Sequence, residues 1–260
     1  IGEGERDEAP MLYIGEKVGS GNGDEVDIAL DPLEGTTITS KGMPNSLAVI
    51  AAAKKGCLLH SPDTYMNKIA IGNGYSNDVI DLDASVKDNI KSLADAKKVK
   101  PSDISACVLE RDRHSEIIES LREIGSKVIL IPDGDVAGVM MTSQEEIDVD
   151  IYFGTGGAPE GVLAAAALQC IGGQMQTRLV IRNDDEKKRA EKAGIKDLEK
   201  KYYIDDLASG DIIFVATGVT EGTMVKGVKK YSNSFLTHSI VLRSDFNTTQ
   251  FIQTHHTQSI

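Results

Sequence analysis

The segment DPLEGTT, residues 31–37, places two acids beside two hydroxyls directly after the apolar run VDIAL. Proline disfavours helix at the preceding residue and glycine permits a tight bend, so Asp31 and Glu34 can point into one pocket. Two neighbouring carboxylates repel each other unless a proton or a cation lies between them. Oxygen ligands suit Mg²⁺ or Mn²⁺ rather than zinc, and Thr36 or Thr37 could orient a water beside that cation. The alternative is a surface turn with solvated acids, since Asp, Pro and Gly favour turns.

A further acid, Glu160, stands at the start of a predicted helix in FGTGGAPEGVLAAAAL, where a strand runs into glycines. Loop amides and a helix N-terminus attract anions, but the segment has neither a Walker Lys-Ser/Thr nor the dinucleotide-binding glycine spacing. The helix dipole stabilises a carboxylate there, and that carboxylate would repel a phosphate unless a cation lay between them. A capped helix with an acidic first turn is the alternative.

In IGEGERDEAP, the residues alone leave open whether Glu3 or Glu5 faces a site.

A pair of arginines in LERDRHSE precedes another predicted helix. Arg111 and Arg113 lie two apart, so on an extended segment they would share one side. Their planar guanidinium groups suit a phosphate. The alternative is surface charge paired with Glu110 or Asp112.

A pair of aspartates in IPDGDV follows the predicted strand KVILIP. Ligands bind at strand ends in α/β sheets, and Asp133 and Asp135 there could accept hydrogen bonds from sugar hydroxyls. A turn with an N-cap aspartate is the alternative.

The histidines have no partner at metal-ligand spacing and are assigned to structure or solvent. The cysteines lie in apolar segments and are assigned to the core.

The elements that must position these residues follow from hydrophobic periodicity and from glycine and proline punctuation. The alternation of helix and strand patterns after residue 110 predicts a layered α/β fold. We expect one unit over residues 1–109, an α/β unit over 110–245, and a polar C-terminal tail over 246–260 that ends in a frayed terminus. The predicted strands are VDIAL, SLAVIAAA, YMNKIAIGNG, KVILIP, VDIYFG, QMQTRLVI and GDIIFVATG. The predicted helices are APMLYIGEKVG, DASVKDNIKSLADAKKV, HSEIIESLREIGS, GDVAGVMMTSQ, APEGVLAAAALQCIGG and DDEKKRAEKAG.

Composition narrows the class of protein. The chain has 260 residues, 40% of them apolar, and a net charge of −12. This charge disfavours nucleic acid or an anionic membrane as partner, and no apolar run is long enough to span a bilayer. Three cysteines without CxxC spacing fit a reducing compartment, so we expect a cytoplasmic protein. The chain begins with Ile1 inside dense motif sequence, and we expect that an N-terminal part is missing.

Five segments together resemble the class II (GlpX-type) fructose-1,6-bisphosphatases, a group that includes the bifunctional fructose-1,6-/sedoheptulose-1,7-bisphosphatases. The segments are IGEGERDEAPMLYIGEKVG, DPLEGTT, SPDTYMNKIAIG, IPDGDVAG and GTGGAPEGVLAAAAL. The resemblance runs from residue 1 to about 245. It implies a layered α/β (α+β) sugar-phosphatase fold of the metal-dependent, lithium-sensitive superfamily, with a metal-binding subdomain, a substrate-binding subdomain and the active site between them.

The resemblance also implies roles for individual residues, with Mn²⁺ or Mg²⁺ as cofactor. The implied metal ligands are Glu3, Asp31, Glu34 and Glu160, and the implied catalytic residues are Asp31 and Thr36, whose hydroxyl would position the attacking water. The implied substrate contacts are Glu34, Gly35, Thr36, Tyr65, Arg111, Asp112, Arg113, Asp133, Gly134, Asp135 and Gly157. Family members carry a further acidic ligand upstream of IGEGE, in a region that this sequence does not include.

The implied reaction is hydrolysis of the 1-phosphate of fructose 1,6-bisphosphate in gluconeogenic or Calvin-type sugar-phosphate metabolism, by a homo-oligomer (dimer or tetramer). A sedoheptulose-1,7-bisphosphatase or a bifunctional enzyme is the nearest alternative. An inositol-phosphate phosphatase is more distant, because a monophosphate needs no second clamp of the kind that the arginine pair offers. A non-catalytic sugar-phosphate sensor or an inactive product is the alternative from another class.

Overall fold

The computed structural model describes residues 11–257, and within them the chain is a mixed α/β protein with two sheets, which confirms the predicted fold class. The strands are β1 Val26–Glu34, β2 Leu47–Lys54, β3 Tyr65–Ile71, β4 Ser105–Leu109, β5 Lys127–Ile131, β6 Ile151–Gly157, β7 Gln174–Val180, β8 Tyr202–Tyr203, β9 Ile212–Gly218, β10 Lys229–Lys230, β11 Ser234–Arg243 and β12 Thr248–Thr257. The helices are α1 Thr36–Ser40, α2 Val86–Lys97, α3 Ser115–Glu123, α4 Asp135–Met141, α5 Ala158–Ile171, α6 Asp184–Lys192 and α7 Ile204–Leu207.

The two sheets differ in topology. The first is antiparallel, in the order β1-β2-β9-β11-β10 with β12 also paired to β11. The second has the order β5-β4-β6-β3-β7-β8, and β4 runs parallel to both β5 and β6 while the other pairs are antiparallel. The carboxyl ends of β4, β5 and β6 therefore lie at one edge of this sheet, where the predicted site segments follow them.

Helix α5 packs against strands of both sheets, which makes it the centre of the fold. Its sequence APEGVLAAAALQCI is apolar on nearly every side, as expected for a helix buried all round. The run of alanines, residues 164–167, is fully buried, and such small side chains let both sheets approach the helix closely. The first turn of α5, which carries Glu160, is thereby fixed between the two sheets.

The local structure differs from the predictions at several points. The segment APMLYIGEKVG forms no helix over its described part, residues 11–19, where Gly15 has a φ of 86° that interrupts a right-handed helix. Ten residues of the predicted polar tail at 246–260 form β12, which pairs with β11 along its whole length. The apolar segment KVILIP was predicted as a buried strand but is only half-buried, because β5 lies at the edge of its sheet.

The predicted division of the chain at residue 109 stays a prediction. That boundary falls directly after β4, and strands of the second sheet come from both sides of it in the chain. The first sheet combines residues 26–54 with residues from 212 onward, so the two sheets do not coincide with the two predicted units.

Candidate active site

Three carboxylates from two distant segments meet at one point. One oxygen each from Asp31, Glu34 and Glu160 lies within 4.8 Å of the others. The spacing of Asp31 and Glu34 predicted that they lie close together. Glu160, in contrast, is more than a hundred residues away in the chain. The structure thus brings together the described part of the predicted metal-ligand set. Glu3 lies outside the described residues.

A register shift in β1 allows Asp31 and Glu34 to face the same side. Residues three apart on a regular strand point to opposite faces. Here Asp31 pairs with Val49 and Glu34 with Leu47, so three steps on β1 match two on β2. This extra residue is a bulge, and Pro32 is tolerated within it because β1 is an edge strand. The strand therefore continues through DPLE, where the sequence predicted a turn.

The predicted turn begins one residue later, at Gly35. Its φ of 86° is left-handed, which glycine adopts without strain, and α1 starts at the next residue. Thr36 is therefore the first residue of α1 and is exposed beside the acids. The neighbouring amide of Thr37 donates to Asp133 Oδ2 at 3.2 Å, which connects this segment to the end of β5.

Burial makes the acid cluster electrostatically costly without a cation. Glu34 is only 5% exposed, and the Val136 amide donates to its Oε1 at 2.9 Å. Burial, followed by the charges of Asp135 and Glu160, raises the pKa of Glu34 well above its ordinary value. Burial also raises the pKa of Asp31. Each group favours a proton or a metal ion in place of an unscreened charge.

Glu160 gives the clearest indication that a cation fits this cluster. Burial, together with the charge of Asp135, raises its pKa to about 7. Its Oε2 is buried and has no hydrogen-bond partner among residues 11–257. A carboxylate oxygen left in this state is costly, and the all-oxygen donor set fits Mg²⁺ or Mn²⁺. The residues present therefore suit the predicted cofactor.

Gly157 makes the position of Glu160 possible. A Cβ added at Gly157 would overlap the carboxylate of Glu160, which folds back over the start of α5. Gly157, predicted as a substrate contact, is thus the residue whose lack of a side chain leaves room for a predicted metal ligand.

Lys68 is a buried cation beside the acids and was not among the predicted site residues. It is 2% exposed, and its Nζ donates to Asp135 Oδ2. Asp135, predicted to bind sugar hydroxyls, is itself 5% exposed at the first residue of α4 and follows Gly134. The lysine in the predicted strand YMNKIAIGNG could have been noticed, because a lysine in a buried strand needs a partner.

The two predicted phosphate arginines reach different partners. Residues 112–114 form a 3₁₀ turn rather than an extended segment, so the side chains do not simply share one side. Arg111 donates to the carbonyl of Pro132 and lies 3.5 Å from Asp133 Oδ1. Arg113 donates from Nε to the carbonyl of Thr155 at 2.8 Å. Asp112 starts the turn and is exposed.

Two guanidinium groups lie over the ring of Tyr65. Arg113 lies 5.1 Å from the ring centroid, and Arg182 lies 4.2 Å from it. Tyr65 pairs with Gly157 across β3 and β6, so the ring borders the segment that carries Glu160. Arg182 was not among the predicted site residues, because nothing in RLVIRNDDE indicates that it meets Tyr65.

His114 fixes the arginine turn, in agreement with its assignment to structure. It is fully buried, and its Nδ1 lies 2.8 Å from the carbonyl oxygen of Leu109. The amide of Thr155 donates to its Nε2 at 2.8 Å. Burial lowers its pKa, which favours the neutral ring that this pair of hydrogen bonds requires.

The chain matches a known family over nearly its whole length. A family model described as "Bacterial fructose-1,6-bisphosphatase, glpX-encoded" matches residues 1–256. The chain belongs to this family. The class II fructose-1,6-bisphosphatase resemblance drawn from the five motifs is thereby confirmed.

Individual relatives agree with the family. Fructose-1,6-bisphosphatase 1 class 2 of Escherichia coli strain K12 is 41% identical over 269 residues, which cover 98% of this chain and 80% of the relative. Fructose-1,6-bisphosphatase class 2 of E. coli O6:H1 and of Shigella flexneri gives the same figures. None of the helices within residues 11–257 is long and apolar enough to cross a membrane.

Proposed function

We propose that the chain hydrolyses the 1-phosphate of fructose 1,6-bisphosphate and releases fructose 6-phosphate and phosphate. The observation that carries this proposal is the buried cluster of Asp31, Glu34 and Glu160 in a chain 41% identical to fructose-1,6-bisphosphatases. The relatives supply the reaction, and the acid cluster supplies a place where it can occur.

The cluster suits a divalent metal, with Glu3, Asp31, Glu34 and Glu160 as its proposed ligands. Mn²⁺ or Mg²⁺ bound there would offset the charge of the phosphoryl oxygens and lower the pKa of a water. Asp31 is proposed to act in catalysis as one of these ligands. The hydroxyl of Thr36, exposed beside the cluster, is proposed to align the attacking water with the leaving oxygen.

The remaining predicted contacts would hold the rest of the substrate. The arginines at 111 and 113 are proposed to bind the distal phosphate, with Tyr65 beside them. Asp133 is half-buried at the end of β5 and is proposed to accept hydrogen bonds from sugar hydroxyls. The other proposed substrate contacts are Glu34, Gly35, Thr36, Asp112, Gly134, Asp135 and Gly157.

A phosphate-release assay tests the proposal. The chain should release phosphate from fructose 1,6-bisphosphate with Mn²⁺ or Mg²⁺, and excess chelator should reduce the rate to background. Undiminished turnover in chelator would remove the metal from the proposal. Binding without phosphate release would favour a sensor.

Sedoheptulose 1,7-bisphosphate is the second candidate substrate, because the named motifs do not separate the two sugars. Values of kcat/KM measured side by side would rank them. We further propose a cytoplasmic homo-oligomer, dimer or tetramer, that acts in gluconeogenesis and glycerol metabolism. Light scattering on a sizing column tests the oligomeric state.

A further inference from the structure

Arg182 extends from the segment after β7 toward Tyr65, at the edge of the candidate active site. Its guanidinium carbon lies 4.2 Å from the ring centroid, nearer than that of Arg113 at 5.1 Å. Two cations over one ring are both attracted by its π-electrons, but they repel each other. Such a pair is most favourable when an anion lies beside both.

Arg182 is held in place before any ligand arrives. Its Nε donates to Glu186 Oε1 at 2.8 Å, and Nη2 reaches the same oxygen. Its own backbone amide donates to Glu186 Oε2 at 2.7 Å. Glu186 is 1% exposed, and Asn183 accepts a hydrogen bond from its amide at the start of α6. A guanidinium fixed on one edge and stacked on one face loses little freedom when it binds.

Only one of the two guanidinium groups beside Tyr65 pairs with a carboxylate within residues 11–257. Arg113 forms no ion pair with any residue in the described range and uses its Nε on a neutral carbonyl. Glu186 Oε1 also lies 4.0 Å from Arg189 Nη2, so this carboxylate is shared between two arginines. The side chain of Arg182 is 43% exposed, so its remaining donors are accessible to a ligand. In a chain of net charge −12, this is a local site for an anion.

The register of the sheet places this positive site next to the acid cluster. Tyr65 pairs with Gly157 on β6 and with Val180 on β7, two residues before Arg182. Gly157 in turn lies against the carboxylate of Glu160. A substrate with one phosphate at the acids would thus extend its other end toward Tyr65.

We propose that Arg182 is a specificity-determining residue that, together with Arg113, binds the phosphate remote from the acid cluster. The inference rests on the proposed function and adds a residue to it. Guanidinium groups bind phosphate by charge-assisted hydrogen bonds. Arg182 would thus favour a sugar bisphosphate over a monophosphate.

Fructose 6-phosphate is the probe that isolates this contact, because it carries only the remote phosphate. Calorimetry with excess Mn²⁺ should give at least about tenfold weaker binding for Arg182→Gln than for the unmodified chain, as for a lost charge-assisted hydrogen bond. Arg182→Lys should bind more tightly than Arg182→Gln, because it keeps the charge. Arg178→Gln is the matched control, because Arg178 lies on β7 and pairs with Asp83, and it should stay within twofold.

The possible results test the role of Arg182 separately from the proposed hydrolysis. Binding by Arg182→Gln within twofold of the unmodified chain, or no binding by the unmodified chain, would overturn the role of Arg182. Equally weak binding by Arg182→Lys and Arg182→Gln would also overturn it, since the arginine would then serve only packing against Tyr65. Phosphate release from fructose 1,6-bisphosphate is measured separately, and its absence beside Arg182-dependent binding would overturn the proposed function alone.

Discussion

The acid cluster and the arginine cluster around Tyr65 are proposed to handle phosphate by opposite means. The acids Asp31, Glu34 and Glu160 are at least half-buried, and the pKa of each is raised. The guanidinium groups of Arg113 and Arg182 are partly exposed and held by a carbonyl, a carboxylate and a ring. The acids need a cation from outside, whereas the arginines bring their own charge. The two regions should therefore respond differently to mutation, metal, salt and pH.

The largest effect should come from removing the buried cation beside the acids. Lys68→Met leaves Asp135 without its partner next to Glu34 and Glu160, and breaking a buried ion pair costs about 3–5 kcal/mol of stability. Denaturant unfolding of metal-free protein measures this loss. Lys127→Met is the control, because its pair with Asp148 is exposed and such pairs contribute about 1 kcal/mol or less. Equal losses in both variants would contradict the electrostatic account of the cluster.

Glu34→Gln should nearly abolish turnover without unfolding the chain. The amide oxygen of Gln can still accept the hydrogen bond from Val136, but it lacks the charge that a divalent metal requires. We expect kcat to fall about 10³-fold, the upper range for losing one electrostatic contact in a transition state, with weaker Mn²⁺ binding. Glu145→Gln, at an exposed position, should leave both quantities unchanged. Full activity of Glu34→Gln would remove Glu34 from the metal site.

Thr36→Ala should lower kcat by about 10²-fold, because a positioned group acts in the transition state rather than in binding. KM should change little. Thr36→Ser keeps the hydroxyl and should recover most of the rate. Steady-state kinetics on the three proteins decides the matter, and an unchanged kcat in Thr36→Ala would exclude Thr36 from the chemistry.

Arg113→Gln should act on substrate binding rather than on the chemical step. Loss of a charge-assisted hydrogen bond raises KM by about tenfold or more, with kcat nearly constant and a weaker dependence of KM on salt. Arg122→Gln on α3 is the exposed control. A fall in kcat with constant KM would mean that Arg113 belongs to the reacting end of the site.

The smallest effect should be a pH dependence specific to the acids. The pKa of Glu160 is raised from 4.5 to about 7, so between those values the folded state binds more protons than the unfolded state. Metal-free protein should therefore lose stability as pH rises through this window. Thermal unfolding of Glu160→Gln should show a flatter profile there, and excess Mn²⁺ should reverse the trend in the unmodified chain. Parallel profiles for variant and unmodified chain would contradict the raised pKa.

The comparison also shows what the sequence could predict. Asp31 and Glu34 were identifiable because they lie close to each other in the chain and because their carboxylates suit a cation. Glu160 could be placed beside them only through the family resemblance, because folding around α5 decides that contact. Lys68 and Arg182 were missed, since local sequence says nothing about which residue a side chain meets across a sheet.

Predictions of the helices and strands had the same limit, because local sequence does not reveal long-range pairing. Most strands and helices with strong periodicity were predicted correctly between β2 and α6, but β4, which lies between β5 and β6 in the second sheet, was not predicted. The errors fell where long-range pairing decides the outcome: β12 is polar but is stabilised by its backbone bonds to β11. The bulge in β1 depends on the register with β2, which no periodicity of β1 alone reveals.

The most direct test of the two-ended site is phosphorus NMR of fructose 1,6-bisphosphate incubated with the chain and Mg²⁺. The account predicts that the signal of the 1-phosphate is lost as inorganic phosphate appears, while the 6-phosphate signal persists as fructose 6-phosphate. Excess chelator should stop the conversion. Loss of the 6-phosphate signal, or the same rate in chelator, would contradict an acid cluster that acts through a metal on one phosphate while arginines hold the other.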